Sequence, residues 1–136
     1  VKTIKITPNP ADKKAIKEAI KYLQNGGSIF IFPEGTRSRT GSMIKAKKGF
    51  LLIAKMSKAQ FVPIGIEGSE KLFPINSDSM SKEKFNYSKV KVVLGEPFNL
   101  PEKTPDNKDI WTDFATEYSM KKISELLSPE YRGVYK

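Results

Sequence analysis

The 136-residue chain contains no cysteine and no histidine. The absence of cysteine excludes disulfide bonds, thiolate nucleophiles, iron–sulfur clusters and zinc sites built from cysteine. The absence of histidine removes the commonest general base at neutral pH and the commonest metal ligand. Any chemistry carried by this chain alone must therefore use other residue types.

The chain also lacks long hydrophobic runs. The longest, residues 29–33 and 49–54, are far shorter than the about 18 apolar residues that cross a bilayer. We therefore expect that the chain does not span a membrane. Its first residues include neither an initiating Met nor the apolar core of a signal peptide, so we expect that this start is not the natural one.

Positive charge is concentrated in the first half of the chain. The formal net charge is +9, and residues 1–60 hold 13 basic and 3 acidic residues, whereas residues 61–136 hold 11 basic and 12 acidic ones. This asymmetry favours an anionic partner, which could be a nucleic acid, a membrane surface or a phosphorylated substrate. A lysine-rich surface that serves only solubility explains the same numbers.

The pattern of apolar residues predicts one domain, over residues 1–136, of the α/β class. The order helix, strand, helix, strand is typical of a mostly parallel sheet flanked by helices. Residues 69–88 are polar and predict a loop with short turns. The predicted helices cover residues 9–25, 46–58 and 109–127, and the predicted strands cover residues 28–32, 61–66 and 90–95.

The most informative stretch is Ile-Phe-Pro-Glu-Gly-Thr-Arg-Ser-Arg at residues 31–39. It places a carboxylate, a glycine, a hydroxyl and two guanidinium groups directly after a predicted buried strand, where open α/β sheets bind ligands. Because the arginine fork matches a phosphate, the pattern predicts a phosphate clamp. The alternative is that Glu34 and Arg37 only pair with each other across a tight turn.

Three lysines, Lys45, Lys47 and Lys48, precede the second predicted helix. Cations at a helix start oppose the helix dipole, so their placement makes sense if an anion binds nearby. A solvated lysine run is the alternative. Three aspartates near residue 109 could suggest a carboxylate metal site, but they are more typical of a helix start.

Residues 32–38, Phe-Pro-Glu-Gly-Thr-Arg-Ser, resemble the FPEGTRS motif of the glycerolipid acyltransferases, particularly the 1-acyl-sn-glycerol-3-phosphate acyltransferases. Residues 47–50, Lys-Lys-Gly-Phe, are similar to the Lys-Lys-Gly segment that precedes a helix in that family. Residues 62–64, Val-Pro-Ile, resemble a later strand. The resemblance covers about residues 10–75, and the C-terminal third carries no motif that we can assign.

In that family an acyl group passes from acyl-CoA or acyl carrier protein to the free hydroxyl of a lysophospholipid phosphate, without a metal or another cofactor. The resemblance implies that Arg37 holds the acceptor phosphate together with Lys48. It also implies that Glu34 supports the glycerol or the loop, and that Gly35 and Thr36 shape the turn.

The chain departs from the family pattern at the catalytic element. The family uses an HxxxxD motif, located several tens of residues before FPEGTRS, in which His acts as the general base. This chain has no His, and only 32 residues precede Pro33. We therefore expect the C-terminal part of an acyltransferase domain, with no catalytic residue of its own. It would bind without turnover as a peripheral protein at the cytoplasmic face of the cell membrane.

A second class of function stays open at this point. The chain could be a non-catalytic domain that binds anionic phospholipids or nucleic acid, because the basic first half has the charge that both partners require. The sequence contains no recognised nucleic-acid motif. Nucleic-acid binding would depend on many lysines, with a steep dependence on salt and no special role for Arg37.

Overall fold

The structure is a computed structural model that describes residues 3–4, 13–75 and 83–136. In the described residues four helices and a small two-stranded sheet form a mixed α/β unit, which confirms the predicted class. The elements are α1 (Lys13–Gln24), α2 (Gly49–Ser57), β1 (Ile64–Glu67), α3 (Ser69–Leu72), β2 (Lys91–Leu94) and α4 (Trp111–Ser124), followed by 3₁₀ turns at Pro129–Tyr131 and Gly133–Tyr135.

Helix α1 packs against α2. Its buried side chains, Ala15, Ala19 and Ile20, recur at the spacing that places residues on one helix face. The chain leaves the helix at Gly26, whose φ of +81° suits a residue without a Cβ atom. None of the helices in the described ranges is long and apolar enough to cross a membrane.

The sheet differs from the predicted one. Strands β1 and β2 pair antiparallel, with Ile64 opposite Leu94, and no parallel pair occurs among the described residues. At the end of β1, Gly68 has a φ of +83° and the chain turns into α3. A Cβ atom there would overlap the carbonyl oxygen of Lys89, so the chain that enters β2 lies directly against the exit from β1. β2 therefore begins beside the end of β1 and runs antiparallel to it, with Glu67 opposite Lys91.

Residues 28–32, predicted to be a strand buried on both faces, form no strand. Phe30 is 58% exposed and Phe32 is 64% exposed, and their rings contact each other edge to face at 4.9 Å between centroids. A strand needs a hydrogen-bonding neighbour, and no described segment pairs with residues 28–31. The apolar composition of this run therefore does not lead to burial.

The hydrophobic core lies between α2, α4 and the end of the chain. The indole Nε1 of Trp111 donates a hydrogen bond of 2.9 Å to the carbonyl oxygen of Pro101, which satisfies the polar atom of this buried ring. The buried cluster consists of Met43, Ala46, Phe50, Leu51, Trp111, Ala115, Met120, Leu127 and Tyr135.

Helix α4 buries small residues together with its two large ones. Besides Trp111 and Met120, its buried positions are small side chains, among them Ala115 and Ser119, whereas Phe114 is exposed. The hydroxyl of Ser119 donates to the carbonyl oxygen of Ala115 at 2.8 Å. The buried hydroxyl therefore has a hydrogen-bond partner. The packed face of α4 thus follows the small residues and not the aromatic Phe114.

The end of the chain docks on the segment that precedes α2. Met43 donates its backbone N–H to the carbonyl oxygen of Tyr131 at 2.8 Å and accepts from the N–H of Val134 at 3.3 Å. The buried hydroxyl oxygen of Tyr135 accepts from the N–H of Ala46 at 3.0 Å. Gly133 makes this approach possible, because a Cβ atom there would overlap the carbonyl of Met43.

Glu67, at the end of β1, connects the sheet to the residues that follow α4. Its carboxylate accepts a hydrogen bond of 2.6 Å from the backbone N–H of Ser128 and contacts Nζ of Lys91 at 3.3 Å. The bond from Ser128 is the main cause that lowers the pKa of Glu67 below its usual 4.5, with the charge of Lys91 adding to it.

We expect Tyr135→Phe to reduce the free energy of unfolding by about 1–3 kcal/mol, because the N–H of Ala46 would stay buried without its acceptor. Urea denaturation followed by circular dichroism measures the change. Tyr87→Phe is the matched control, since Tyr87 is 98% exposed. Equal stability of the two variants would contradict a stabilising role for this hydroxyl.

The lowered pKa of Glu67 predicts how stability changes in acid. A carboxyl whose pKa is lowered in the folded state stabilises the fold above pH 4.5, and this stabilisation is lost as the pH falls through the folded-state pKa. We expect Glu67→Gln to lower the urea midpoint at neutral pH, with a difference from the parent chain that shrinks below pH 4.5. A difference independent of pH would show that the charge of Glu67 is irrelevant.

Candidate anion-binding site

The site is built on a tight turn at residues 32–35. The N–H of Gly35 donates to the carbonyl oxygen of Phe32 at 3.1 Å, which closes the turn. Gly35 has a φ of +68°, a conformation that L side chains rarely adopt, and glycine is favoured at the fourth position of such turns. The Pro-Glu-Gly sequence thus explains why the chain reverses here.

Residues 44–47 hold this turn from the other side. The N–H of Lys47 donates to the carbonyl oxygen of Pro33 at 2.8 Å. The aliphatic part of the Lys47 side chain lies against Gly35, since a Cβ atom on that glycine would be 2.9 Å from Cδ of Lys47. A larger residue at this position would displace the lysine side chain, whose ammonium group also lies against the turn.

Glu34 faces the protein rather than solvent. Its Oε2 atom accepts a hydrogen bond of 3.3 Å from the backbone N–H of Ile44, and the residue is half-buried. Burial raises the pKa of Glu34 above its usual 4.5, and the bond from Ile44 opposes part of that shift. No contact between Glu34 and Arg37 is recorded in the described residues, so a simple pair between them does not account for the motif.

The side chain of Arg37 extends away from the turn and contacts residues of the second half of the chain. Its guanidinium lies over the ring of Phe73 at 5.0 Å and donates from Nη2 to both carboxylate oxygens of Glu83, at 2.9 and 2.8 Å. Thr36, the residue before it, is exposed. The next residues form a chain of hydroxyls, in which Ser38 contacts Thr40 at 3.1 Å.

The structure places Lys48 on a different neighbour. Its ammonium group contacts Oδ1 of Asp113, in the first turn of α4, at 2.5 Å, and this contact lowers the pKa of Asp113. Both side chains are largely exposed, so the pair adds little stability. The predicted residues 34–37 are neighbours along the chain, but Glu34 contacts Ile44 whereas Arg37 contacts Phe73 and Glu83. Among the described residues no contact joins Lys48 to Arg37.

Two residues at this site were not predicted as part of it, Phe73 and Glu83. Both lie outside the motifs, in a part of the chain whose composition predicted only a loop. Lys47 was one of three lysines before the second predicted helix, of which the resemblance singled out Lys48. The contact of Lys47 with Gly35 distinguishes it from the other two, but that contact depends on the backbone path and leaves no sequence signal.

A comparison with known protein families finds a match over the part of the chain that carries this turn. The family model described as Acyltransferase matches residues 1–67, which include the whole turn and the lysines that follow it. The chain belongs to the acyltransferase family. No solved structure matches the chain.

Several relatives of this acyltransferase chain are named as 1-acyl-sn-glycerol-3-phosphate acyltransferases. The protein of Bacillus subtilis is 36% identical over 100 residues, which are 70% of this chain and 45% of that one. A chloroplastic protein of Arabidopsis thaliana is 33% identical over 84 residues, covering 62% of this chain and 22% of that one.

The similarity also reaches into the C-terminal part. A protein of the same name from Chlamydomonas reinhardtii is 27% identical over 120 residues, which are 88% of this chain and 32% of that one. The chain thus spans less than half of the length of each of these relatives.

Alanine substitutions at two glycines test whether the turn requires glycine at position 35. We expect Gly35→Ala to destabilise the acyltransferase chain by about 1–2 kcal/mol, because alanine is disfavoured at a positive φ. The added methyl group would also push against Lys47. Gly49→Ala is the control: Gly49 begins α2 with open space around it, so we expect a change within about 1 kcal/mol. Urea midpoints measure both variants, and equal midpoints would contradict the proposed fit of Gly35.

Proposed function

We propose that this acyltransferase chain binds the phosphate of a lysophospholipid acceptor through Arg37. We further propose that the complete protein transfers a fatty acyl group from acyl-CoA or acyl carrier protein to 1-acyl-sn-glycerol-3-phosphate. The observation that carries the proposal is the position of the Arg37 guanidinium, which follows a tight turn within the residues that the family model matches and keeps 40% of its side-chain surface exposed.

The charges around the turn support an anionic ligand. Lys47 packs against the turn, Arg37 follows it, and Arg39 adds a third cation two residues further on. A guanidinium can grip two oxygens of one phosphate, whereas an ammonium group acts as a point charge. Arg37 is therefore the residue best suited to orient the ligand, and Lys47 to raise its affinity.

The other predicted residues receive supporting roles in this proposal. Glu34 fixes the backbone of Ile44 and thereby the segment that carries Lys47. Gly35 lets the lysine chain pass, and exposed Thr36 shapes the approach to Arg37. Lys48 would join the site only after leaving Asp113, so we assign it the smaller contribution.

Acyl transfer requires more than this site. The acceptor hydroxyl oxygen attacks the thioester carbonyl carbon, a base takes the hydroxyl proton, and the thiolate of the donor leaves. Holding the acceptor phosphate lowers the entropic cost of that encounter. The chain contains no histidine to serve as the base. We therefore propose that residues 1–136 are a partial acyltransferase domain that lacks the HxxxxD portion and binds without turnover.

The same proposal places the chain at a membrane surface. A lysophospholipid acceptor resides in a bilayer, and the basic first half would be attracted to anionic headgroups. We propose peripheral attachment at the cytoplasmic face. A rise in salt should weaken this attraction, because exposed charges are screened.

The test compares Arg37→Ala with Arg39→Ala, which removes the same charge from a neighbouring exposed position. The probe is a phosphatidylcholine vesicle that carries 1-acyl-sn-glycerol-3-phosphate, and co-sedimentation measures binding. We expect Arg37→Ala to weaken binding about tenfold, the value of a charge-assisted hydrogen bond, and Arg39→Ala to weaken it much less.

Two outcomes would contradict the proposal. Equal losses in both variants, together with tighter binding to duplex DNA that falls steeply with salt, would favour the nucleic-acid function. Acyl transfer by the isolated chain at an ordinary enzymatic rate would show that its own residues supply the base. Circular dichroism of each variant checks that the fold survives.

A further inference from the structure

The guanidinium of Arg37 already has an anionic partner within the protein. Its Nη2 atom donates to Oε1 and Oε2 of Glu83, and Nη1 faces the carbonyl oxygen of Phe73 at 3.5 Å. These two terminal nitrogens form the outer edge of the fork that would grip a phosphate. The edge that the proposed ligand needs is therefore turned toward protein oxygens.

The two partners differ in exposure. The Glu83 side chain is 1% exposed, whereas 40% of the Arg37 side chain is exposed. A buried carboxylate is costly unless it is paired and hydrogen-bonded, and the two hydrogen bonds from Arg37 provide such pairing for Glu83. The guanidinium of Arg37 is accessible to water. An anion from solvent can therefore reach it and replace Glu83 as its partner.

The segment that carries Glu83 is fixed against α3. The N–H of Asn86 donates to the carbonyl oxygen of Leu72 at 2.8 Å, and the ring of Phe85 stacks on that of Phe73 at 4.5 Å. Phe73 in turn lies under the guanidinium of Arg37. A backbone hydrogen bond and a ring stack thus attach the segment of Glu83 beside Arg37.

We propose that Glu83 is the internal counter-ion of the anion site, and that a phosphate binds Arg37 by displacing this carboxylate. The proposal rests on the proposed function, since it assumes that Arg37 is the phosphate ligand. Both hydrogen bonds to Glu83 come from Nη2, and Nη1 faces Phe73, so a phosphate that grips the outer edge must take Nη2 from Glu83. Glu83 therefore lowers the affinity of the site and keeps Arg37 neutralised until a phosphate arrives.

The experiment removes the charge of Glu83 and keeps its shape. Calorimetric titration of the 136-residue chain with sn-glycerol 3-phosphate compares the parent with Glu83→Gln. We expect binding about fivefold tighter in the variant, because the ligand no longer competes with a carboxylate for Arg37. The matched control is Glu102→Gln, which makes the same charge change at an exposed position outside the site and should leave the affinity unchanged.

Tighter binding by Glu83→Gln but not by Glu102→Gln supports the proposal. Unchanged or weaker binding by Glu83→Gln overturns it and indicates that Glu83 positions Arg37. Should Glu83→Gln not fold, Glu83→Asp decides, because the shorter carboxylate holds Nη2 less well and should also tighten binding.

Arg37→Ala separates this proposal from the proposed function. If Arg37→Ala weakens binding while Glu83→Gln does not tighten it, the phosphate site stands and the counter-ion role is overturned. If Arg37→Ala leaves the affinity unchanged, both fail. In a variant that combines Arg37→Ala with Glu83→Gln, the gain in affinity from Glu83→Gln should vanish. The guanidinium for which the carboxylate and the phosphate compete is absent there.

Discussion

The docking of the chain end on the backbone of Met43 is the contact on which the rest of the structure depends. Met43 bonds to Tyr131 and Val134, and the adjoining segment leads through Ala46 to Lys47, which holds the turn at Pro33. The C-terminal residues therefore support the loop that carries the motif, although they lie about a hundred positions away in sequence. A loop that must present cations at a fixed geometry needs such a rigid base.

The charge asymmetry between the two halves takes a specific form in the structure. Two cations of the basic half contact carboxylates of the other half: Arg37 with Glu83, and Lys48 with Asp113. Part of the excess positive charge thus serves to join the halves of the chain. The pairs differ in consequence, because the carboxylate at Arg37 is buried while the one at Lys48 is exposed.

Much of the local structure could be predicted from the sequence, and the pairing of strands could not. Apolar periodicity identified α1, α2 and α4, and β-branched runs identified β1 and β2. In their antiparallel pairing the start of β2 lies beside the end of β1, where Lys89 approaches Gly68, and this approach of distant residues leaves no signal in the sequence. Likewise the motif predicted the turn and Arg37, whereas Glu83 reached the site through the packing of Phe85 on Phe73, which no motif encodes.

The unpaired run at residues 28–32 affects how this chain behaves in concentrated solution. Its sequence, Ser-Ile-Phe-Ile-Phe, is uncharged, rich in residues of high β propensity, and exposed at both phenylalanines. Backbone groups without a neighbouring strand offer a template to any other extended segment, including the same residues of a second molecule. Self-association of the isolated chain should therefore begin at this run, and lysine or proline substitutions within it should keep the chain in solution.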